Sequence, residues 1–142
     1  MQVRDIMTKN VETVHPDTLM VEVAKKMKEL DVGMIPVMQG SKVLGLITDR
    51  DIVLCVVAEG KNASECCAHE IISGVPITIM SSADVEDAAD LMEQRQIRRL
   101  IVVDESETFC GILSLGDIAT RLDQQRAGEA LEKISEPSHL AQ

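Results

Sequence analysis

The chain has 142 residues, a mass of 15.5 kDa and 45% hydrophobic residues, which allows one compact domain or two very small ones and excludes wholesale disorder. Its net charge of −10 opposes binding to nucleic acid or to an anionic membrane, so neither is expected as a partner. Phe109 is the single aromatic residue, so aliphatic side chains and backbone would have to hold any planar ligand.

The first predicted elements are a short strand and a helix. Residues 12–15 alternate in polarity like a strand that ends at Pro16, and Asp17 or Thr18 can cap the helix that follows. The buried face of this helix is predicted from residues at helical spacing, which are Leu19, Val23, Met27 and Leu30.

A β-hairpin and a second helix complete the first half of the chain. The hairpin strands are predicted at residues 34–38 and 43–47, joined by a turn at 39–42. The helix after Thr48 contains an apolar run that begins at Ile52 and ends at Ala58. Because this run is apolar on all sides, we expect a second copy of the chain to cover it in a homodimer.

The second half repeats the same order of elements at an offset of 65 residues, which becomes 66 after one extra residue in the second hairpin. A strand at 77–80, a cap at Ser81 or Ser82 and a hairpin at 100–103 and 109–113 are predicted. The buried helix stripe is Val85, Ala88, Ala89 and Met92. We therefore predict a first repeat at 1–60, a second at 61–122, and a fraying helix end with a loose tail at 123–142.

Both halves contain the pattern G-x-x-[ST]-x-x-D, at 45–51 and at 111–117. Thr48 and Ser114 are suited to cap the helix that follows, and Asp51 and Asp117 stand where a capping box places its acid. A hydroxyl at a helix N-terminus could also hold a phosphate, and the acid one turn later could accept hydrogen bonds from both hydroxyls of a ribose.

The duplicated pattern resembles the cystathionine-β-synthase (CBS) domain pair, or Bateman module, over residues 1–122. The segments that support the resemblance are residues 3–8, 13–16, 33–37, 45–51, 97–103 and 111–117. It implies an α/β (α+β) fold of tandem repeats, each strand–helix–strand–strand–helix, packed around a pseudo-twofold axis. It also implies a sensor that binds AMP, ADP, ATP or S-adenosylmethionine in clefts between the repeats, commonly as a dimer of pairs.

The resemblance also implies site residues. The ribose acid falls on Asp51 and Asp117, and the phosphate-side hydroxyl falls on Thr48 and Ser114. A polar position of the first strand falls on Thr13 and Thr78. The segments that line the purine match Ile35, Pro36, Val37, Leu100, Ile101 and Val102. The second copy departs from the pattern, because Ile101 replaces the proline and its opening at 64–68 lacks Ile-Met-Thr.

The two copies differ in charge near the expected anion site. Arg98 and Arg99 align with Gly33 and Met34, so only the second copy has its own guanidinium pair. Alternatively, both arginines are solvated or pair with acids such as Glu93. We predict that the second copy binds phosphorylated ligands more tightly.

The cysteines and the absence of a recognisable targeting segment bear on location and chemistry. The longest apolar run is far below a membrane span, so a cytoplasmic protein is expected. The cysteines form no C-x-x-C pair, which favours reduced structural thiols and predicts no metal site. Cys67 and His69 could form a nucleophile and base, but no group that orients the histidine is visible.

Three functions remain. The leading hypothesis is a regulatory module that binds an adenosyl ligand, requires no other cofactor, performs no chemistry and signals to an unknown effector protein. A structural homodimerisation module without ligand is the first alternative. A nucleotide-converting enzyme is the second, although no P-loop or activated nucleophile is recognisable.

Overall fold

The structure is a computed structural model that describes residues 1–72 and 76–137. It forms two compact units. Met1–Asn10 and Ile77–Gln142 make one, called the outer unit here, and Val11–Pro76 make the other, the inner unit. Each unit combines helices with a small sheet, so the predicted mixed α/β class is confirmed.

In chain order the helices are α1 (Val3–Ile6), α2 (Met20–Leu30), α3 (Asp49–Asp51), α4 (Val85–Arg95), α5 (Leu115–Arg121) and α6 (Gln124–Ile134). The strands are β1 (Met34–Gln39), β2 (Lys42–Thr48), β3 (Thr78–Met80), β4 (Arg99–Val103) and β5 (Phe109–Ser114). A π-helix, Ile52–Val57, continues α3, and a 3-10 helix spans Ala68–Glu70.

The inner unit contains the predicted hairpin. β1 and β2 pair antiparallel, and Gly40 adopts a positive φ of 62° in the turn that joins them. Residues 12–15 form no strand but contribute one parallel bridge, between Val14 and Val37. The core is formed by Val14, Met20, Val23, Met27, Ile35, Val37, Ile47, Val56, Cys66, Ala68 and Ile71. Leu30 is exposed, because α2 ends beside it in a left-handed residue, Asp31.

The outer unit has a three-stranded sheet in which β3 runs parallel to β4 and β5 pairs antiparallel with β4. All four residues of the predicted stripe on α4 are buried in its core. The caps differ from the prediction. Asp84, and not a serine, caps α4 by accepting from Glu86 N–H at 2.8 Å. Leu19 occupies the N-cap of α2, because the Thr18 hydroxyl instead accepts from His15 N–H at 3.1 Å.

The units do not coincide with the predicted repeats of 1–60 and 61–122, because their opening segments are exchanged. In the outer unit, Val3 N–H donates to Ala83 O at 2.8 Å and Thr8 N–H donates to Ile112 O at 2.8 Å. In the inner unit, Met20 N–H donates to Cys66 O at 2.7 Å. The outer unit, which contains most of the second repeat, therefore takes its opening turn from the first repeat. The inner unit, which contains most of the first repeat, takes its opening turn from the second.

The segment after Leu122 also differs from the predicted fraying end. Asp123 caps α6, and the buried face of α6 packs into the core of the outer unit through Ala127, Ala130 and Ile134. The polar composition that suggested a loose segment belongs to the exposed face of an amphipathic helix. The predicted tail at 138–142, with His139, lies outside the described residues.

The predicted helix after Thr48 is present, and its second part is a π-helix in which Ala58 N–H donates to Val53 O at 2.8 Å. Val53, Leu54 and Val57 are 56%, 46% and 68% exposed. Val56 is buried in the core of the inner unit. Of the helices in residues 1–72 and 76–137, none combines the length and apolar character needed to cross a bilayer.

Candidate functional site

The duplicated pattern forms the same local structure in both units. In the outer unit, Asp117 N–H donates to Ser114 Oγ at 3.0 Å, and Ser114 N–H donates to the Asp117 carboxylate at 2.9 Å. In the inner unit, Thr48 and Asp51 exchange the equivalent hydrogen bonds at 3.1 and 2.9 Å. The predicted capping role of these four residues is therefore confirmed.

The outer copy has a further contact, between Thr8 and Asp117, that could not be predicted from the sequence. The Thr8 hydroxyl lies 3.3 and 3.4 Å from the two carboxylate oxygens of Asp117 and donates to them. Backbone hydrogen bonds in both directions between Thr8 and Ile112, of 2.8 and 3.1 Å, hold the threonine there. The hydroxyl and the acid are 109 residues apart in sequence, so no local pattern could have paired them.

A cavity of about 550 Å³ adjoins this motif inside the outer unit. Its lining residues are Arg98, Arg99, Ser114, Leu115, Gly116, Ala119, Gln124, Ala127, Gly128 and Leu131. The structure thus brings both predicted arginines to the same cavity as the predicted hydroxyl. One wall is provided by α6, whose position near the site no sequence pattern predicts.

The arginines at this cavity are available to a ligand. Arg98 and Arg99 are exposed, and neither forms a salt bridge with any residue in the described part of the chain. Of the two alternatives, pairing with Glu93 is wrong, because that carboxylate binds Arg126 and Lys133, whereas the exposure of both side chains agrees with solvated arginines. The positive charges of Arg98 and Arg99 are therefore not neutralised by ion pairs with the described residues.

The equivalent place in the inner unit has the opposite charge. Asp49 N–H donates to Gly33 O at 2.9 Å, which matches the hydrogen bond of 2.9 Å from Leu115 N–H to Arg98 O. A β-carbon at Gly33 would lie 3.1 Å from an Asp49 carboxylate oxygen. A carboxylate thus lies beside the inner-unit position that corresponds to an arginine in the outer unit.

The predicted purine-lining residues lie on β1 and β4. Ile35 and Val37 pack in the core of the inner unit, and Leu100 and Val102 pack in the core of the outer unit. Pro36 and Ile101 are also buried. The side chains of the four core residues are buried within their units, and a purine contact through these two segments stays a prediction.

The two predicted first-strand threonines lie at the start of an extended segment in each unit. Thr13 is half-buried and precedes the bridge at Val14. Thr78 begins β3 and lines a second cavity of about 490 Å³, together with Asp87, Asp90 and Gln94 of α4. Within the outer unit, Thr78 and Ser114 therefore line different cavities.

All four cysteines are free of disulfides. Burial raises the pKa of the Cys66 thiol, and the charge of Glu70 raises it further. Burial also raises the pKa of the Cys110 thiol. Both thiols are therefore less readily deprotonated than a free cysteine, which favours structural roles.

Comparison with known proteins identifies both repeats. The family model for the CBS domain matches residues 3–58 and 68–124. The chain is 41% identical over 138 residues to the CBS domain-containing protein YhcV of Bacillus subtilis, and the match covers 94% of each chain. It is 30% identical over 139 residues to hypoxic response protein 1 of Mycobacterium tuberculosis, covering 97% of this chain and 96% of that protein.

Solved structures show the same fold. Hypoxic response protein I, crystallised with two coordinated zinc ions, superposes with a TM-score of 0.77 at 30% identity over 86% of this chain and 99% of that one. CBSX2 in complex with AMP gives 0.73 at 25% identity, covering 88% and 98%. The CBS domain pair of MJ0100, in complex with 5′-methylthioadenosine and S-adenosyl-L-methionine, gives 0.76 at 26% identity, covering 88% and 98%.

Proposed function

The chain belongs to the CBS domain family, and on that basis we propose that it is a regulatory module that binds a phosphorylated adenosine compound at the cavity of the outer unit. The observation that supports this most directly is the placement of Arg98 and Arg99 at one cavity with Ser114. Two similar proteins were crystallised with adenosine compounds, CBSX2 with AMP and MJ0100 with methylthioadenosine and S-adenosylmethionine.

Each polar group has a proposed role. Asp117 is not itself in the cavity lining but directly follows the lining residue Gly116, and we assign it the ribose hydroxyls; the Thr8 hydroxyl orients that carboxylate. Arg98 and Arg99 bind the phosphate through charge-assisted hydrogen bonds, and Ser114 donates a further one. Thr48 and Asp51 form a second, weaker site, because Asp49 repels an anion there. Binding shifts the population of a conformation that an effector protein recognises.

Asp117→Ala should weaken AMP binding by about tenfold to a hundredfold, because it removes a charged acceptor for two hydroxyls. Asp51→Ala should leave the tighter binding event unchanged. Calorimetry of both variants and the wild type with AMP, ATP and S-adenosylmethionine measures this. Asp117→Asn, which keeps an acceptor for the capping hydrogen bond but loses the charge, separates ligand binding from helix stability.

Three results would contradict the proposal. Loss of binding in Asp51→Ala alone would reverse the ranking of the sites. Sustained conversion of the nucleotide, detected by chromatography and abolished by replacing one of the two acids with alanine, would favour the interpretation of the chain as an enzyme. If no adenosine compound binds and the chain still dimerises, a structural module is the better description.

We also propose that the chain forms a homodimer through the exposed face of the π-helix, Val53, Leu54 and Val57. Val53→Glu should convert the dimer to a monomer in sedimentation experiments, because a carboxylate would have to be buried in the interface. Val32→Glu, at a 42% exposed valine of the same unit, is the matched control and should remain dimeric. Val56 is unsuitable for this test, because its side chain is buried in the core of the inner unit. A wild-type monomer at micromolar concentration would disprove the interface.

A further inference from the structure

A group of possible metal ligands lies at the first turn of the second repeat, in the inner unit. Three donor atoms lie within 4.8 Å of one another: the sulfur of Cys67, a ring nitrogen of His69 and a carboxylate oxygen of Glu70. Cys67 is half-buried, and His69 and Glu70 are exposed, so a hydrated ion can reach them. The proposed nucleotide site uses none of these three residues.

The backbone that presents these side chains is held by hydrogen bonds to the segment at residues 16–18. Ala68 N–H donates to Thr18 O at 2.8 Å, and His69 N–H donates to Pro16 O at 2.9 Å. Cys67 N–H donates to the Glu70 carboxylate at 2.7 Å, which holds that acid beside the thiol. The three donor groups are therefore brought together before any ion arrives, which lowers the entropic cost of binding one.

The equivalent turn of the first repeat shows which of these residues the fold needs. There, Gln2 N–H donates to the Asp5 carboxylate at 2.9 Å, as Cys67 N–H does to Glu70. The acid is thus part of the turn in both copies. The thiol and the imidazole are not, because Gln2 and Arg4 take their places in the outer unit.

The donor set selects the kind of ion. A thiolate, an imidazole and a carboxylate suit Zn²⁺ and disfavour Mg²⁺ and Ca²⁺, which prefer oxygen ligands. The charges of one thiolate and one carboxylate balance a divalent ion. Three protein ligands leave the fourth tetrahedral position to water.

We propose that Cys67, His69 and Glu70 bind one zinc ion, at a site that the cysteine spacing does not predict because the sequence contains no C-x-x-C pair. The ion bridges three side chains of a single turn and so stabilises the opening of the second repeat in the inner unit. This proposal does not depend on nucleotide binding, and it is tested with the metal alone.

The experiment is a titration of untagged protein with Co²⁺ under reducing conditions, followed by displacement with Zn²⁺. One equivalent should produce a sulfur-to-cobalt charge-transfer band, and one equivalent of Zn²⁺ should remove it. Cys67→Ser should abolish this band and weaken binding by about a hundredfold, since loss of even an outer-shell partner costs about 10–100-fold. Cys66→Ser and Cys110→Ser should keep the band.

A double variant distinguishes the loss of metal ligands from the loss of the folded structure. Cys67→Gln with His69→Arg gives the inner turn the residues that the outer turn already has at these positions. It should fold with the thermal stability of the metal-free wild type but gain nothing from Zn²⁺, whereas the wild type should melt higher with it. No charge-transfer band in the wild type, an unchanged band in Cys67→Ser, or equal stabilisation of the double variant by Zn²⁺ would overturn the assignment.

Discussion

Gly111→Ala should destabilise the outer unit by about 3 kcal/mol, because the added methyl group has no space. A β-carbon at Gly111 would overlap the main-chain carbonyl oxygen of Thr8 and would lie 3.3 Å from the Met7 sulfur. The carbonyl cannot move aside freely, since it accepts a hydrogen bond of 3.1 Å from Ile112 N–H. Any shift also displaces the hydroxyl that contacts Asp117, so AMP affinity should fall together with stability.

Gly45→Ala is the matched control, because Gly45 holds the same position in the hairpin of the inner unit. There the nearest atom to a β-carbon is the Ile72 β-carbon at 3.2 Å, so this neighbour needs to shift by only a few tenths of an ångström. A loss of about 1 kcal/mol or less is expected. Urea denaturation followed by circular dichroism compares the two variants, and equal losses would show that the Thr8 carbonyl is not the obstacle.

Arg126→Met should also be strongly destabilising, by about 2–3 kcal/mol, because it leaves three carboxylates of α4 without their shared cation. The guanidinium of Arg126, itself 16% exposed, donates to Glu86, Asp90 and Glu93, which share one face of that helix. Methionine keeps the apolar stem, so the loss is attributable to charge. Arg95→Met, at an exposed cation of α4 that pairs with no described acid, should cost much less.

The Arg126 effect should depend on pH in a defined direction. Burial alone would raise the pKa of Glu93, but the hydrogen bond and charge of Arg126 outweigh it and lower that pKa below its usual range. A carboxyl whose pKa is lower in the folded state stabilises the fold above its unfolded pKa of about 4.3, and this contribution is lost as the pH falls through the folded value.

The stability difference between wild type and Arg126→Met should therefore be largest near neutral pH and should shrink in acid. Urea midpoints measured from neutral pH down to acid, with Glu93→Gln as the partner variant in a double-mutant cycle, test this. A difference that stays constant throughout, or grows in acid, would mean that packing and not charge determines the effect.

The sequence alone determined the local structure of this protein. Both hairpins, the buried stripe of α4 and both capping boxes follow from periodicities and side-chain preferences that act over a few residues. The duplication was visible for the same reason, since each copy repeats those local signals at a nearly constant offset. The family and the mixed α/β fold could therefore be predicted from the residues.

The tertiary structure decided which distant segments meet. The exchange of opening turns, the docking of α6 and the pairing of Thr8 with Asp117 all join residues that no short pattern connects. Because α6 is polar in overall composition, the burial of its alanines could not be predicted from the sequence. The structural role of Arg126 likewise depends on the folded unit, in which its guanidinium pairs with acids of α4. Cys67, His69 and Glu70 are neighbours in sequence, and the structure places their donor atoms within 4.8 Å of one another on a turn whose backbone donates hydrogen bonds to Pro16 and Thr18.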